Sequence, residues 1–218
     1  MPLNEIYQNL LTHFGPQNWW PGDSPFEVCV GAILTQNTNW SNVEKAIVNL
    51  KDRGLLDFKS LYLARDETIA ELIRPAGYFN VKTKRLRSFL NFIQEKYGEF
   101  DALNDLTDTK LREELLSVKG VGAETADSMV LYAFNRPKFV IDTYTHRILS
   151  RHSLIPEDAD YYQMQELFEN NLETDEELFN EYHALIVMVA KNFCKKSKPS
   201  CEECPLKDVN GGAVLPSH

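Results

Sequence analysis

Apolar positions recur at three- and four-residue intervals along almost the whole chain, the spacing that puts them on one face of a helix. Leu3, Ile6, Leu10, Leu11 and Phe14 follow it near the start. Ser24-Pro25-Phe26-Glu27 has the form of a capping box with proline at the first helical position. It predicts a helix running through Cys29, Ile33 and Leu34. Ser41-Asn42-Val43-Glu44 has the same form and predicts a helix over 43–51. Leu86, Phe89, Leu90 and Ile93 share one face of a long helix over 81–97, and Thr174-Asp175-Glu176-Glu177 opens another over 178–193. Alternating, strand-like stretches are scarce and no strand–helix–strand unit is visible, so the pattern predicts an all-α protein with short loops. The clearest breaks are Asn135-Arg136-Pro137 and the tail after Cys194, rich in Lys, Pro, Gly and Ser.

Composition adds little to this picture, but charge adds more. The 218 residues are 43% hydrophobic and 25% charged, ordinary values for a chain that buries a core of one or two domains. There is no apolar run of membrane-spanning length and no secretory pattern over 1–12. The expectation is a cytoplasmic, nucleoid-associated protein with no membrane partner. The formal net charge is −9, which as a bulk figure argues against an anionic partner. Its distribution reverses that argument. Residues 152–190 hold ten acids and neither Lys nor Arg, so the rest of the chain sits at +1. Basic clusters remain at Lys82, Lys84, Arg85 and Arg87, and at Lys191, Lys195, Lys196 and Lys198.

At the centre, a helix over 111–117 runs into Val118-Lys119-Gly120-Val121-Gly122, and a second helix follows over 123–133. Two glycines spaced by one apolar residue make a tight turn whose N–H groups face outward beside a helix start. Such a turn binds phosphate without needing side-chain charge. By itself it serves equally as an ordinary helical connection. Val121 is placed to pack between the two helices. Twenty residues on, Asp142 closes the apolar run Val140-Ile141 and opens a helix over 143–151. Alone, it reads as an N-cap. A carboxylate there can also act as a base or stabilise positive charge.

Together these features are more specific. Leu-x-x-Val-Lys-Gly-Val-Gly-Ala-Glu-Thr-Ala-Asp followed by Ile-Asp-Thr-Tyr-Thr-His-Arg resembles the helix-hairpin-helix and Gly/Pro…Asp signature of the endonuclease III superfamily of DNA glycosylases. Gly31-Ala32-Ile33-Leu34-Thr35-Gln36-Asn37-Thr38 resembles the family segment that inserts a polar side chain into the duplex, and Gly77-Tyr78-Phe79-Asn80-Val81-Lys82 resembles its Gly-Tyr/Phe-x-x-x-Lys segment. The resemblance implies two helical domains with a DNA-binding cleft between them. A six-helix barrel domain with the hairpin would span 25–134, and 1–24 with 135–218 would form the second domain. The implied partner is double-stranded DNA with a damaged base, bound by a monomer.

Asp142 matches the family's essential Asp, which stabilises the oxocarbenium-like sugar and helps activate water. Bifunctional members carry a Schiff-base lysine two residues past the second hairpin glycine. Here that residue is Glu124, and a carboxylate cannot form an imine. The implied chemistry is hydrolytic. By the same matching, Gln36, Asn37, Lys119, Gly120, Gly122 and Arg147 are the expected DNA contacts, with Lys195 and Lys196 beside them.

Trp19, Trp20 and Trp40 flank the presumed insertion segment. Each taken singly is a core aromatic, but together they suit an electron-rich pocket for a cationic base, by cation–π stacking of about 0.5–2 kcal/mol. Trp-Trp-Pro, Leu-Thr-Gln-Asn-Thr, Arg74-Pro75-Ala76-Gly77-Tyr78-Phe79-Asn80 and Gly-x-Glu-x-Ala-Asp look most like the 3-methyladenine glycosylase branch, in which the hairpin Glu lines the pocket. The alternatives are a mismatch uracil/thymine glycosylase, an abasic-site lyase using another lysine, and a DNA-binding module without chemistry.

Cys194-x6-Cys201-x2-Cys204 reads as metal ligands rather than disulfides in a reduced compartment. The spacing is that of the family's iron–sulfur loop, which implies a 4Fe–4S cluster. The fourth position, however, is Asn210. A cluster with a non-Cys ligand, a 3Fe–4S cluster, zinc, and a lost cluster all stay open. Cys29, mid-helix among apolar residues, reads as a buried thiol.

Overall fold

The computed structural model describes residues 2–19 and 22–209. Trp20 and Asn210 lie outside them. Among the described residues there are eleven α-helices, two 3-10 turns and no strand. The chain divides into two compact units, Trp20–Arg136 and the joined ends Met1–Trp19 with Pro137–His218.

The first unit carries α2 (Pro25–Thr35), α3 (Trp40–Asp52), α4 (Phe58–Leu63), α5 (Asp66–Leu72), α6 (Phe79–Lys96), α7 (Asp108–Ser117) and α8 (Ala123–Tyr132). The 3-10 turns Arg74–Ala76 and Phe100–Asp105 precede α6 and α7. α2 is its central helix, buried from Phe26 to Gly31 and again at Ile33 and Leu34, and it packs on α3, α6 and α8. Its cap differs in part from the box expected. Ser24 accepts the Glu27 N–H at 3.2 Å, but the buried Glu27 carboxylate pairs with Lys51 at 2.9 Å and ties α2 to α3. α3 starts earlier than the sequence suggests. Asn39 is the cap, accepting the Asn42 N–H at 3.1 Å, because Ser41 already lies in the first turn and donates to Asn39 Oδ1.

The second unit carries α1 (Leu3–Phe14), α9 (Thr143–Arg151), α10 (Tyr161–Glu169) and α11 (Glu176–Asn192). α11 is capped by Asp175, not Thr174, and packs on α1 and α9. Tyr182 anchors that packing: fully buried, it donates to Leu3 O at 2.7 Å and meets Phe139 and Phe168 edge-on. No helix of the described residues is long and apolar enough to cross a membrane.

Candidate functional site

In the first unit α7 and α8 form a hairpin around 118–122. Val118 and Val121 are buried between the helices, while Lys119, Gly120 and Gly122 are exposed. Asp127, fully buried on α8, takes a two-pronged bond from Arg112 on α7 (2.6 and 3.1 Å), which pins the two helices together. Gly120 sits at φ +94°, and a Cβ there would lie 2.6 Å from Arg85 Cγ, so no other residue fits without displacing Arg85. Gly122 caps α8 without a side-chain bond, which leaves first-turn N–H groups facing outward at an exposed helix start. Glu124, in that first turn, is exposed.

Gln36 does not project outward. As the C-cap of α2, it donates from Nε2 to Gly120 O (3.0 Å) and Thr125 Oγ1 (2.9 Å), and its Oε1 accepts from Arg85. It is a strut between the α2 end and the hairpin. Asn37, next to it, is exposed with φ +55°. Trp40 opens α3 with its ring edge lying over Gly31.

The basic cluster of α6 is not a continuous patch. Lys82 is buried and donates to Leu34 O (2.7 Å) and Ala76 O (2.8 Å), and burial followed by the Arg85 charge lowers it to about 8. Arg87 serves Tyr62 O, Ala64 O and Asp66. Arg85 serves Gln36, and only Lys84 of the four is exposed.

In the second unit Asp142 caps α9. Its Oδ1 accepts the Thr145 N–H at 2.8 Å and the Thr145 hydroxyl at 3.0 Å. Its Oδ2 faces His183 Nε2 of α11 at 3.5 Å. Burial raises this carboxyl, but His183 and the two Thr145 donors outweigh it, so Asp142 is held below the ordinary carboxylate range. The His183 ring stacks on Trp19, with centroids 6.0 Å apart and planes 14° apart. Trp19 and Asp142 thus meet through one imidazole that the sequence reading did not single out. The available signal was a lone histidine in the apolar run 182–190.

Arg147 and Arg151, on α9, turn to the cysteine loop. Arg147 Nε donates to Cys194 O at 2.7 Å, and its guanidinium lies over Tyr144. Arg151 donates to Cys194 Sγ at 3.2 Å and to the carbonyls of Lys195 and Lys196. The Lys195 and Lys196 side chains are exposed. Cys194 and Cys204 are buried and Cys201 half-buried, with no disulfide recorded among them. The Cys204 thiol is raised by burial, which outweighs the lowering effect of the Leu206 backbone bond. As placed, however, no three His, Cys, Asp or Glu among the described residues form a metal-holding group.

Among the described residues the helices, the glycine hairpin and the half-buried N-capping Asp142 form a helix-hairpin-helix architecture. The chain belongs to the HhH-GPD superfamily of base excision DNA repair proteins, whose pattern matches residues 30–174. It is 50% identical over 208 residues, 94% of each chain, to a Methanocaldococcus jannaschii protein provisionally named a DNA repair glycosylase. It is 30% identical to the endonuclease III of Thermotoga maritima, over 94% of this chain and 91% of that one. Among solved structures, Helicobacter pylori 3-methyladenine DNA glycosylase bound to 1,N6-ethenoadenine matches with a TM-score of 0.74 at 30% identity. That match covers 87% of this chain and 95% of the other. An endonuclease III in a non-covalent DNA complex shares the fold, with a TM-score of 0.82 at 19% identity over 96% and 94%.

Proposed function

We propose that this protein is a monofunctional DNA glycosylase that hydrolyses the N-glycosidic bond of alkylated purines such as 3-methyladenine in duplex DNA. The observation that carries the reading is the ionised Asp142, fixed at the start of α9 and facing an imidazole on which Trp19 is stacked. A 3-alkylated adenine carries positive charge, so it stacks on an indole and leaves as a neutral base without needing a proton. As the bond breaks, its electron pair goes to the base and positive charge develops on the sugar, where a carboxylate stabilises it. Water then adds at C1′, and Asp142 is the group that receives its proton. Glu124 at the lyase-lysine position supports hydrolysis over Schiff-base chemistry. The Helicobacter relative, solved with an alkylated adenine analogue, supports the base class.

The hairpin N–H groups of Gly120, Gly122, Ala123 and Glu124, with Lys119 and Asn37, are the proposed contacts to the duplex. Lys195 and Lys196 add charge from the cysteine loop. Asp142→Asn tests the reading. It keeps the cap geometry and removes the charge, so base release is expected to fall by about 100-fold or more while duplex affinity holds. Wild-type release by the variant refutes the assignment.

For the cysteine loop we propose an iron–sulfur cluster of structural role, supported by the family spacing Cys194-x6-Cys201-x2-Cys204. Iron and sulfide analysis with absorption near 400 nm tests it. A colourless protein holding one zinc contradicts it.

A further inference from the structure

We infer that His183 is a positioning residue of the base-release site, setting both the Asp142 carboxylate and the Trp19 wall. The inference rests on the reading of Asp142 and Trp19 given above.

The two carboxylate oxygens of Asp142 are held differently. Oδ1 is saturated by the Thr145 N–H and hydroxyl, both on α9. Those two bonds fix the cap but leave the direction of Oδ2 to a group outside the helix. That group is His183 Nε2, at 3.5 Å. The distance is that of a polar contact rather than a full hydrogen bond, so Oδ2 is oriented while keeping capacity to accept from water or to face a developing cation. Both side chains are mostly out of solvent, Asp142 at 13% and His183 at 7% exposure.

The face of the same ring supports Trp19. Two residues earlier on α11, Glu181 accepts the backbone N–H groups of Gln17 (2.6 Å) and Asn18 (3.1 Å). Asn18 takes a left-handed φ of +47°, which turns the chain towards Trp19. α11 therefore holds both the backbone that leads to the indole and the indole itself. Histidine meets both demands because it offers a flat face and a polar edge. Phenylalanine supplies only the face, and glutamine only the polar group.

That difference makes the test. His183→Phe and His183→Gln are compared with the wild type in the full-length protein, by single-turnover base release, lesion-duplex Kd and thermal melting. Expected for His183→Phe is a release rate lower by about ten-fold or more, with Kd within about two-fold and the fold retained. His183→Gln, which restores a polar partner for Oδ2, recovers part of the rate but binds the lesion duplex more weakly than wild type. Wild-type rates in both folded variants overturn the inference, as does an equal loss in both that tracks their melting temperatures. The contact is also read without activity, from the His183 ring 15N resonances, which shift in Asp142→Asn if the pair is formed and stay in place if it is not. A wild-type protein that releases no base while those resonances shift refutes the functional reading and leaves the contact standing.

Discussion

Gly120 answers two demands at once, a left-handed backbone and room for the Arg85 stem. Gly120→Ala meets neither. It is expected to destabilise the protein by about 1–3 kcal/mol and to weaken duplex binding, read by melting and by affinity for an undamaged duplex. Gly122 has open space where a Cβ would point, so Gly122→Ala is the control that leaves stability nearly unchanged. The motif reading treated the two glycines alike. The left-handed φ of Gly120 and its neighbour Arg85 on α6 distinguish them, and that neighbour is 35 positions away in the sequence. Gln36 makes the same point. Its position in the motif was legible, but its three partners lie on α6, the hairpin turn and α8, so its inward orientation was not.

At the scale of the elements, the helices marked by regular apolar spacing, a capping residue or the hairpin and Asp142 motifs were readable: α1, α2, α3, α6, α7, α8, α9 and α11. The short helices α4, α5 and α10 were not, because six to nine residues give too few turns for a periodic signal, and unlike the equally short α9 none of them follows a recognisable motif. Two buried charges hold these elements in register. Arg112→Ala leaves the Asp127 carboxylate, with no exposed surface, without its bidentate partner. Denaturant unfolding should show a loss of about 3 kcal/mol or more, with α7 and α8 uncoupled. Lys82 gives a pH signature. Its folded value, about 8, lies below the 10.5 of an unperturbed lysine. Between those values the unfolded chain holds a proton that the folded chain lacks, so stability attributable to Lys82 rises with pH across this window. Below pH 8 the cost of burying the ammonium is present in full. The melting temperature of the wild type should therefore gain on that of Lys82→Met from pH 7.5 to 10. A constant difference contradicts the assignment.

At the scale of the whole molecule, the net charge of −9 is a sum over segments with separate tasks. Several acids of the stretch 152–190 have structural work. Asp160 and Asp175 cap α10 and α11, Glu169 accepts from Lys138 and the Phe139 N–H, and Glu181 anchors 17–18. Glu157, Asp158, Glu166, Glu173 and Glu177 remain exposed. Duplex affinity carried by hairpin N–H groups and a few lysines should still fall steeply as salt rises from 50 to 200 mM, on the order of ten-fold per few phosphate contacts. Affinity insensitive to salt contradicts a backbone-binding surface.

The central claim is hydrolytic release of a cationic purine through Asp142. The direct measurement is product analysis after incubation with a duplex carrying one 3-methyladenine, with borohydride present in a parallel reaction. Expected are free 3-methyladenine, an intact strand bearing an abasic site, no borohydride-trapped adduct, and base release slower by about 100-fold or more from Asp142→Asn. A trapped covalent protein–DNA complex, or equal release by the variant, contradicts it.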